Sequence, residues 1–235
     1  KIFPNILISN QTRTEFLKER SALLVNTEGK TRPVTDVVIF TGTSTSADQV
    51  RMIFEKETLF ISNGSGHNPI VVSEGADLKN AVHAVLDLCL YNQGQDCAAP
   101  NAVLVHKNIH DQFMGIFCDH LLKIKVGQYR DKSCRVGPLN DPKHLNKVGA
   151  FLVENREWIN KTTGGVMRTA ESILEPTIVS KPLTKGGNYE ETFAPIIFIQ
   201  KYDEDKDLNL YFEDSRYQKN AMYITLYGNS NYIQK

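Results

Sequence analysis

A cysteine closes the stretch Asn92-Gln93-Gly94-Gln95-Asp96-Cys97, which lies between an apolar helical pattern and an apolar strand pattern. A thiolate is a strong nucleophile toward a carbonyl carbon, and its surroundings set how much thiolate is present. The glycine lets the backbone approach a ligand. Neighbouring backbone N–H groups can hold the oxyanion that forms when a thiolate adds to a carbonyl. By residue type alone, Cys97 is more simply a small buried hydrophobe, as most free cysteines are.

Three further segments place polar groups where a ligand would fit. Ile61-Ser62-Asn63-Gly64-Ser65-Gly66-His67-Asn68-Pro69 is a glycine-rich turn after a strand. It suits a ligand or a plain strand connection. Phe40-Thr41-Gly42-Thr43-Ser44-Thr45-Ser46 runs from a strand into a helix N-terminus. Exposed backbone donors there suit a phosphate or carboxylate, and a capped helix without ligand explains the same residues. It is not a P-loop, because GxxxxGK[ST] is absent. Glu190-Glu191-Thr192-Phe193-Ala194-Pro195 sets an acidic pair beside an aromatic and a proline. Taken alone, it reads as a solvated loop.

The elements that must position these segments alternate. Val37 to Phe40, Leu59 to Ile61 and Pro69 to Val72 read as short strands. A helix is expected from Ala47 to about Glu55. Asp77 opens another, with Leu78, Ala81, Val82, Val85, Leu86 and Cys89 at helical spacing. Ala102 to Val105 reads as a strand. Ile109 to about Ile124 is expected to be helical through Phe113, Ile116, Phe117 and Leu121. Asp141-Pro142 sets up a helix start, with Leu145, Val148, Phe151 and Leu152 on its apolar face. Glu175 to Val179 and Pro195 to Gln200 are extended. This alternation predicts an α/β architecture with mostly parallel sheets. A composition shift near Gly64 to Pro69 puts a domain boundary there, giving segments 1–65 and 66–235.

Composition narrows the classes. The 235 residues include 27 basic and 27 acidic side chains, 41% hydrophobic and 23% charged, which is ordinary for a globular protein. The balanced charge gives no global pull toward nucleic acid or anionic membrane. No apolar run approaches the roughly 20 residues of a membrane helix; the longest, Ala81 to Leu90, is broken by His83 and Asp87. The opening Lys1-Ile2-Phe3-Pro4 lacks the pattern of a signal peptide. Four cysteines without a CxxC point to reduced thiols and a cytoplasmic protein. The histidines do not pair with them at zinc spacing, so no metal is expected.

Together the four segments resemble the aldehyde dehydrogenase superfamily over roughly residues 34–232. Asn92 to Cys97 is similar to that family's N-x-G-Q-x-C motif, and Glu191 to Pro195 to its E-x-F-G-P motif with Ala194 for glycine. Phe40 to Ser44 resembles F-T-G-S-T, and Gly66 to Pro69 the end of E-L-G-G-K-N-P. The resemblance implies the end of a Rossmann-like cofactor domain followed by an aldehyde-dehydrogenase-type catalytic α/β domain. It implies NAD- or NADP-dependent oxidation of an aldehyde to an acid, with Cys97 forming a thiohemiacetal and then a thioester. Glu191 would bind the nicotinamide ribose and Phe193 would pack on the cofactor, with Gly42 and Thr43 beside the nicotinamide. The partner is a small aldehyde. Nucleic acid and membrane are not expected, and an exposed sheet edge makes self-association a possible outcome.

The sequence also departs from the family pattern. Asn63 occupies the general-base position, five residues ahead of Asn68, and an amide takes no proton from water near neutral pH. Ala47 stands where the family has the glycine that opens the helix. Nothing matches the P-W-N segment or the adenosine-ribose residues, so a fragment or a shortened relative is expected. A catalytically impaired scaffold and a coenzyme A acyl-transferring relative are the competing expectations.

Overall fold

The computed structural model describes residues 10–141 and 143–230. The chain divides into two compact units, Lys1–Ser65 and Gly66–Lys235.

The first unit opens with helix α1 (Arg13–Arg20). Thr12 and Glu15 form a reciprocal capping box at its start, a T-x-x-E signature legible in the sequence and absent from the expectations above. Strands β1 (Leu23–Val25) and β2 (Thr31–Pro33) make an antiparallel hairpin. Strand β3 (Val37–Thr41) leads into helix α2 (Ser44–Arg51), and β4 (Leu59–Asn63) returns parallel to β3. The helix begins three residues before the expected Ala47, because the Thr43 hydroxyl accepts from Ser46 N–H and sets the cap. It ends at Arg51, short of Glu55. Parallel strands are usually covered on both faces, yet Ile39 and Leu59 stay exposed here.

The second unit is built on strands β5 (Ile70–Val72), β6 (Val103–His106), β9 (Thr177–Ser180), β10 (Ile196–Tyr202) and β11 (Thr225–Tyr227). Their order is β11-β5-β6-β10-β9, and every pairing is parallel. Helices α3 (Leu78–Leu90) and α4 (Lys107–Leu121) pack on one face, and α5 (His144–Glu154) joins Phe198 and Val179 in a second cluster. A small antiparallel pair, β7 (Met167–Arg168) and β8 (Ile173–Leu174), precedes β9. Helices α6 (Asn209–Phe212) and α7 (Ser215–Asn220) precede β11.

The central strands read as unbroken apolar runs because both faces are covered. Ile70, Val72, Val103 and Val105 point toward α3 and α4, while Val71, Ala102 and Leu104 meet Tyr202, Leu208 and Tyr211 on the other face. That is the period of two of an extended chain. Asp77 caps α3 as expected, accepting from the N–H groups of Lys79 and Asn80. Helix α4 begins at Lys107 rather than Ile109, since His106 Nδ1 accepts from Asn108 N–H. The expected start of α5 at Asp141 moves to His144: Asp141 instead accepts from Lys143 N–H, and Pro142 lies outside the described residues. The extended stretch at Glu175 to Val179 divides, Thr177 onward joining the main sheet.

Candidate active site

Because the five strands are parallel, the segments entering them gather at one edge of the sheet. Gly66–Pro69 enters β5, Cys97–Asn101 enters β6, Glu191–Pro195 enters β10 and Met222–Ile224 enters β11. This is the N-terminal edge, opposite to the carboxyl-end crevice usual for open α/β sheets.

The turn from α3 to Cys97 is made of left-handed backbone. Asn92, Gln93 and Gly94 have φ of 45°, 56° and 72°, a region costly for side-chain-bearing residues. Side chains from the same stretch hold it. Asn92 Nδ2 donates to Gln95 O at 3.0 Å, Gln95 N–H donates to Asn92 O at 3.0 Å, and Gln95 Oε1 accepts from Asn140 N–H. Gly94 lies against the carbonyl of Ala194, where an added Cβ would sit 2.3 Å from the oxygen. Gly94→Ala should therefore cost about 3 kcal/mol or more, from strain at positive φ together with overpacking. A denaturation midpoint within error of the parent would exclude this close approach.

Cys97 itself is half-buried. Its carbonyl accepts from Asn68 Nδ2 at 2.9 Å, the next carbonyl, of Ala98, accepts from the Tyr223 hydroxyl, and Asp96 Oδ1 accepts from Ala98 N–H. Both peptide planes after the cysteine are thus held by outside side chains. The Cys97 N–H has no acceptor among the described residues.

Glu191, Thr192, Phe193 and Ala194 stand beside this turn. Together with Gly94 and Asp96 they line a cavity of about 10 Å³, space for about one water. A Glu191 carboxylate oxygen lies 3.5 Å from Gly66 N. Phe193 is left-handed, with φ of 46°. The Thr192 carbonyl accepts from His144 Nε2 at 2.7 Å, so that nitrogen carries the ring proton. Glu191 and Phe193 thus lie against the Gly94–Asp96 stretch that leads to Cys97, which does not itself line this cavity.

A buried polar network underlies them, and the sequence reading did not find it. Asn101 Oδ1 accepts from Asn68 N–H, and its Nδ2 donates to Asn188 O and to the Tyr211 hydroxyl. Asn188 Nδ2 donates back to Asn101 O at 2.6 Å, and Asn188 N–H donates to Gln200 Oε1. The one visible signal was an asparagine heading a fully apolar strand. Asn101→Ala should cost about 3 kcal/mol, since several buried groups lose their partners at once. A loss below about 1 kcal/mol in a urea titration would mean that the network contributes little.

In the first unit, Gly42, Thr43 and Asn63 meet at the C-terminal ends of β3 and β4. Thr41 pairs with Asn63, and Gly42 N–H donates to Asn63 O at 3.1 Å. Asn63 is exposed. A Cβ on Gly42 would meet the Phe40 ring at 2.9 Å. The Ala47 methyl is buried, so it packs into the unit. The N–H groups of Ser44 and Thr45 have no acceptor among the described residues.

The other thiols are held in their protonated form. Burial pushes Cys89 up to about 12. Desolvation raises Cys118, and desolvation with the nearby Asp131 raises Cys134. Among the described residues no cluster of three metal-capable side chains occurs, and no helix is long and apolar enough to cross a membrane.

Residues 28–229 match the model of the aldehyde dehydrogenase family. The chain is 31% identical over 179 residues to 3,6-anhydro-alpha-L-galactose dehydrogenase of Vibrio sp. (strain EJY3), covering 72% of this chain and 36% of that protein. It is 30% identical over 193 residues to succinate-semialdehyde dehydrogenase [NADP(+)] 2 of Schizosaccharomyces pombe, covering 79% and 38%. The fold is similar to that of glyceraldehyde-3-phosphate dehydrogenase GapN from Methanocaldococcus jannaschii, solved with NADP, with a TM-score of 0.70, 24% identity, and 84% and 47% of the two chains covered. The chain spans less than half the length of each of these relatives.

Proposed function

The chain belongs to the aldehyde dehydrogenase family, and from that premise we propose that it carries the nucleophile and nicotinamide-side residues of an NAD(P)-dependent oxidation of an aldehyde to a carboxylic acid. The supporting observation is that the Cys97 segment and the segment holding Glu191 and Phe193 lead into the adjacent parallel strands β6 and β10 at one edge of the sheet.

The sulfur of the Cys97 thiolate adds to the aldehyde carbon, and the carbonyl electron pair moves to oxygen. The Cys97 N–H donates to that oxyanion. NAD(P), when bound, would supply the acceptor for the hydride that the thiohemiacetal carbon loses as its oxyanion re-forms the carbonyl. Cys97 is left holding the acyl group as a thioester, and water releases the acid and regenerates the thiol.

The residues present fit the nicotinamide-ribose half of the cofactor. Glu191 offers a carboxylate to hydroxyl donors, and Phe193 a half-exposed ring. In the first unit, by itself, Gly42 and Thr43 precede a helix start whose Ser44 and Thr45 N–H groups have no acceptor among the described residues. The residue at the general-base position, Asn63, favours a second reading: a site that acylates and releases its product slowly.

Alkylation of the native chain with iodoacetamide, followed by peptide mass mapping, tests the nucleophile. Cys97 should react first, and a millimolar aldehyde should slow it. Equal labelling of all four cysteines, with no protection, would exclude a working site. Titration with NAD and NADP by calorimetry tests the cofactor half. Heat with either one supports it, and none up to millimolar concentration removes it for this chain alone.

A further inference from the structure

A larger cavity, of about 520 Å³, lies within the second unit. It shares no lining residue with the small cavity beside Gly94, and its volume is in the range of small-molecule sites. Five charged side chains line it. Arg216 is already engaged, pairing with Asp214 at 2.7 Å and lying over the Tyr189 ring at 4.4 Å. The other four come from separate elements. Glu154 ends α5, Lys181 follows β9, Glu190 precedes β10 and Lys219 lies on α7. None of these four side chains has a hydrogen bond or ion pair among the described residues.

Two cations and two carboxylates without partners therefore face one cavity. A ligand of one sign would meet attraction from two of them and repulsion from the other two. A ligand carrying both signs can set each charge against its opposite.

His67 is an independent observation at the same place. It lines the cavity and is only 3% exposed. Its Nε2 lies 2.7 Å from the Tyr189 carbonyl oxygen, so that nitrogen carries the ring proton. Nδ1 is then an acceptor, and it is buried with no partner among the described residues. Buried polar atoms are seldom left so, and an ammonium group is the kind of donor this one lacks. The motif that Gly66 to Pro69 resembles has lysine at this position, so the imidazole is this chain's own departure. Phe151 and Phe198 also line the cavity, their rings meeting edge to face at 6.1 Å. They offer an apolar surface to a ring or a large aliphatic group.

We infer that this cavity binds a free α-amino acid with an aromatic or large apolar side chain. Lys181 and Lys219 take its carboxylate, Glu154 and Glu190 its ammonium group, and Phe151 and Phe198 its side chain. The ligand is neither the aldehyde nor the cofactor of the proposed reaction, and the inference does not rest on that reaction.

The test is calorimetric titration of the native chain with L-phenylalanine, phenethylamine and N-acetyl-L-phenylalanine. The second probe lacks the carboxylate and the third lacks the ammonium group. L-Phenylalanine should saturate a single site in the millimolar range or below, and each of the other two should bind about tenfold more weakly, the scale of one lost charged hydrogen bond. Lys181→Gln combined with Lys219→Gln should bring L-phenylalanine down to the affinity of phenethylamine and leave phenethylamine unchanged. Glu154→Gln combined with Glu190→Gln should bring it down to that of N-acetyl-L-phenylalanine. Changes at unpaired side chains move stability little, and the comparison of probes on the parent chain stands even if a variant unfolds. No saturation at millimolar L-phenylalanine, equal binding of the three probes, or an affinity unchanged in both double variants would overturn the site. The titration involves no turnover, so a chain that binds L-phenylalanine and oxidises no aldehyde would keep this site and lose only the proposed reaction.

Discussion

With Cys97 as the proposed nucleophile, Cys97→Ala should lower the proposed aldehyde oxidation and ester hydrolysis together, by about 10³-fold or more, the scale of losing a nucleophile outright. In the proposed reaction the Cys97 sulfur forms the bond to the aldehyde carbon, and no other thiol is expected to replace it. Cys89 is buried and held protonated, with its pKa pushed up to about 12, and the Cys118 and Cys134 thiols are shifted the same way. The substitution trims one atom from a half-buried side chain, so stability should change by less than about 1 kcal/mol. The measurement is p-nitrophenyl acetate hydrolysis, which needs no cofactor, paired with urea denaturation. The parent should release about one equivalent of p-nitrophenolate in a burst, because acylation outruns a deacylation without a base. The variant should show no burst. A burst that survives Cys97→Ala would place the nucleophile elsewhere.

Asn63→Glu should raise the steady-state rate that follows the burst by about 10²-fold, the lower end of what a positioned general base supplies. The burst amplitude should stay near one equivalent, because acylation does not use that residue. Asn63 is exposed at the end of β4, so a carboxylate there carries little desolvation penalty. The new rate should rise with pH as the glutamate ionises and then level off, since only the carboxylate accepts a proton. Asn63→Gln should leave the slow rate unchanged. If Asn63→Glu is also slow, the defect lies in another part of the site and the reading as a site that releases its product slowly gains ground.

Much of the fold was legible because its signals are local. The capping aspartate of α3, the helical spacing of its apolar residues and the β-branched runs at β3, β5 and β6 each follow from a few neighbouring side chains. The boundaries that moved did so through single side-chain caps: Thr43 at α2 and His106 at α4. A pattern of apolar spacing does not show where a hydroxyl or an imidazole will take the first N–H.

The parts of the site separated in the same way. The N-x-G-Q-x-C stretch specifies its own turn, since Asn92 and Gln95 bond to each other's backbone and Gly94 takes the positive φ. The network under it joins Asn101 to Asn188 across 87 residues, and Tyr223 reaches Ala98 across 125. No periodicity spans such distances. The central strands are apolar on both faces, so the sequence could not say which residues faced which helix layer.

The sequence by itself determined the family and the alternation of strands and helices, because motif chemistry and helical or strand period reside in adjacent residues. Only the tertiary structure decided that Cys97, Glu191, Asn68 and Tyr223 share one edge. Parallel pairing of β11, β5, β6 and β10 aligns the leading segments of strands far apart in the chain, and that alignment is a property of register between strands rather than of any strand alone.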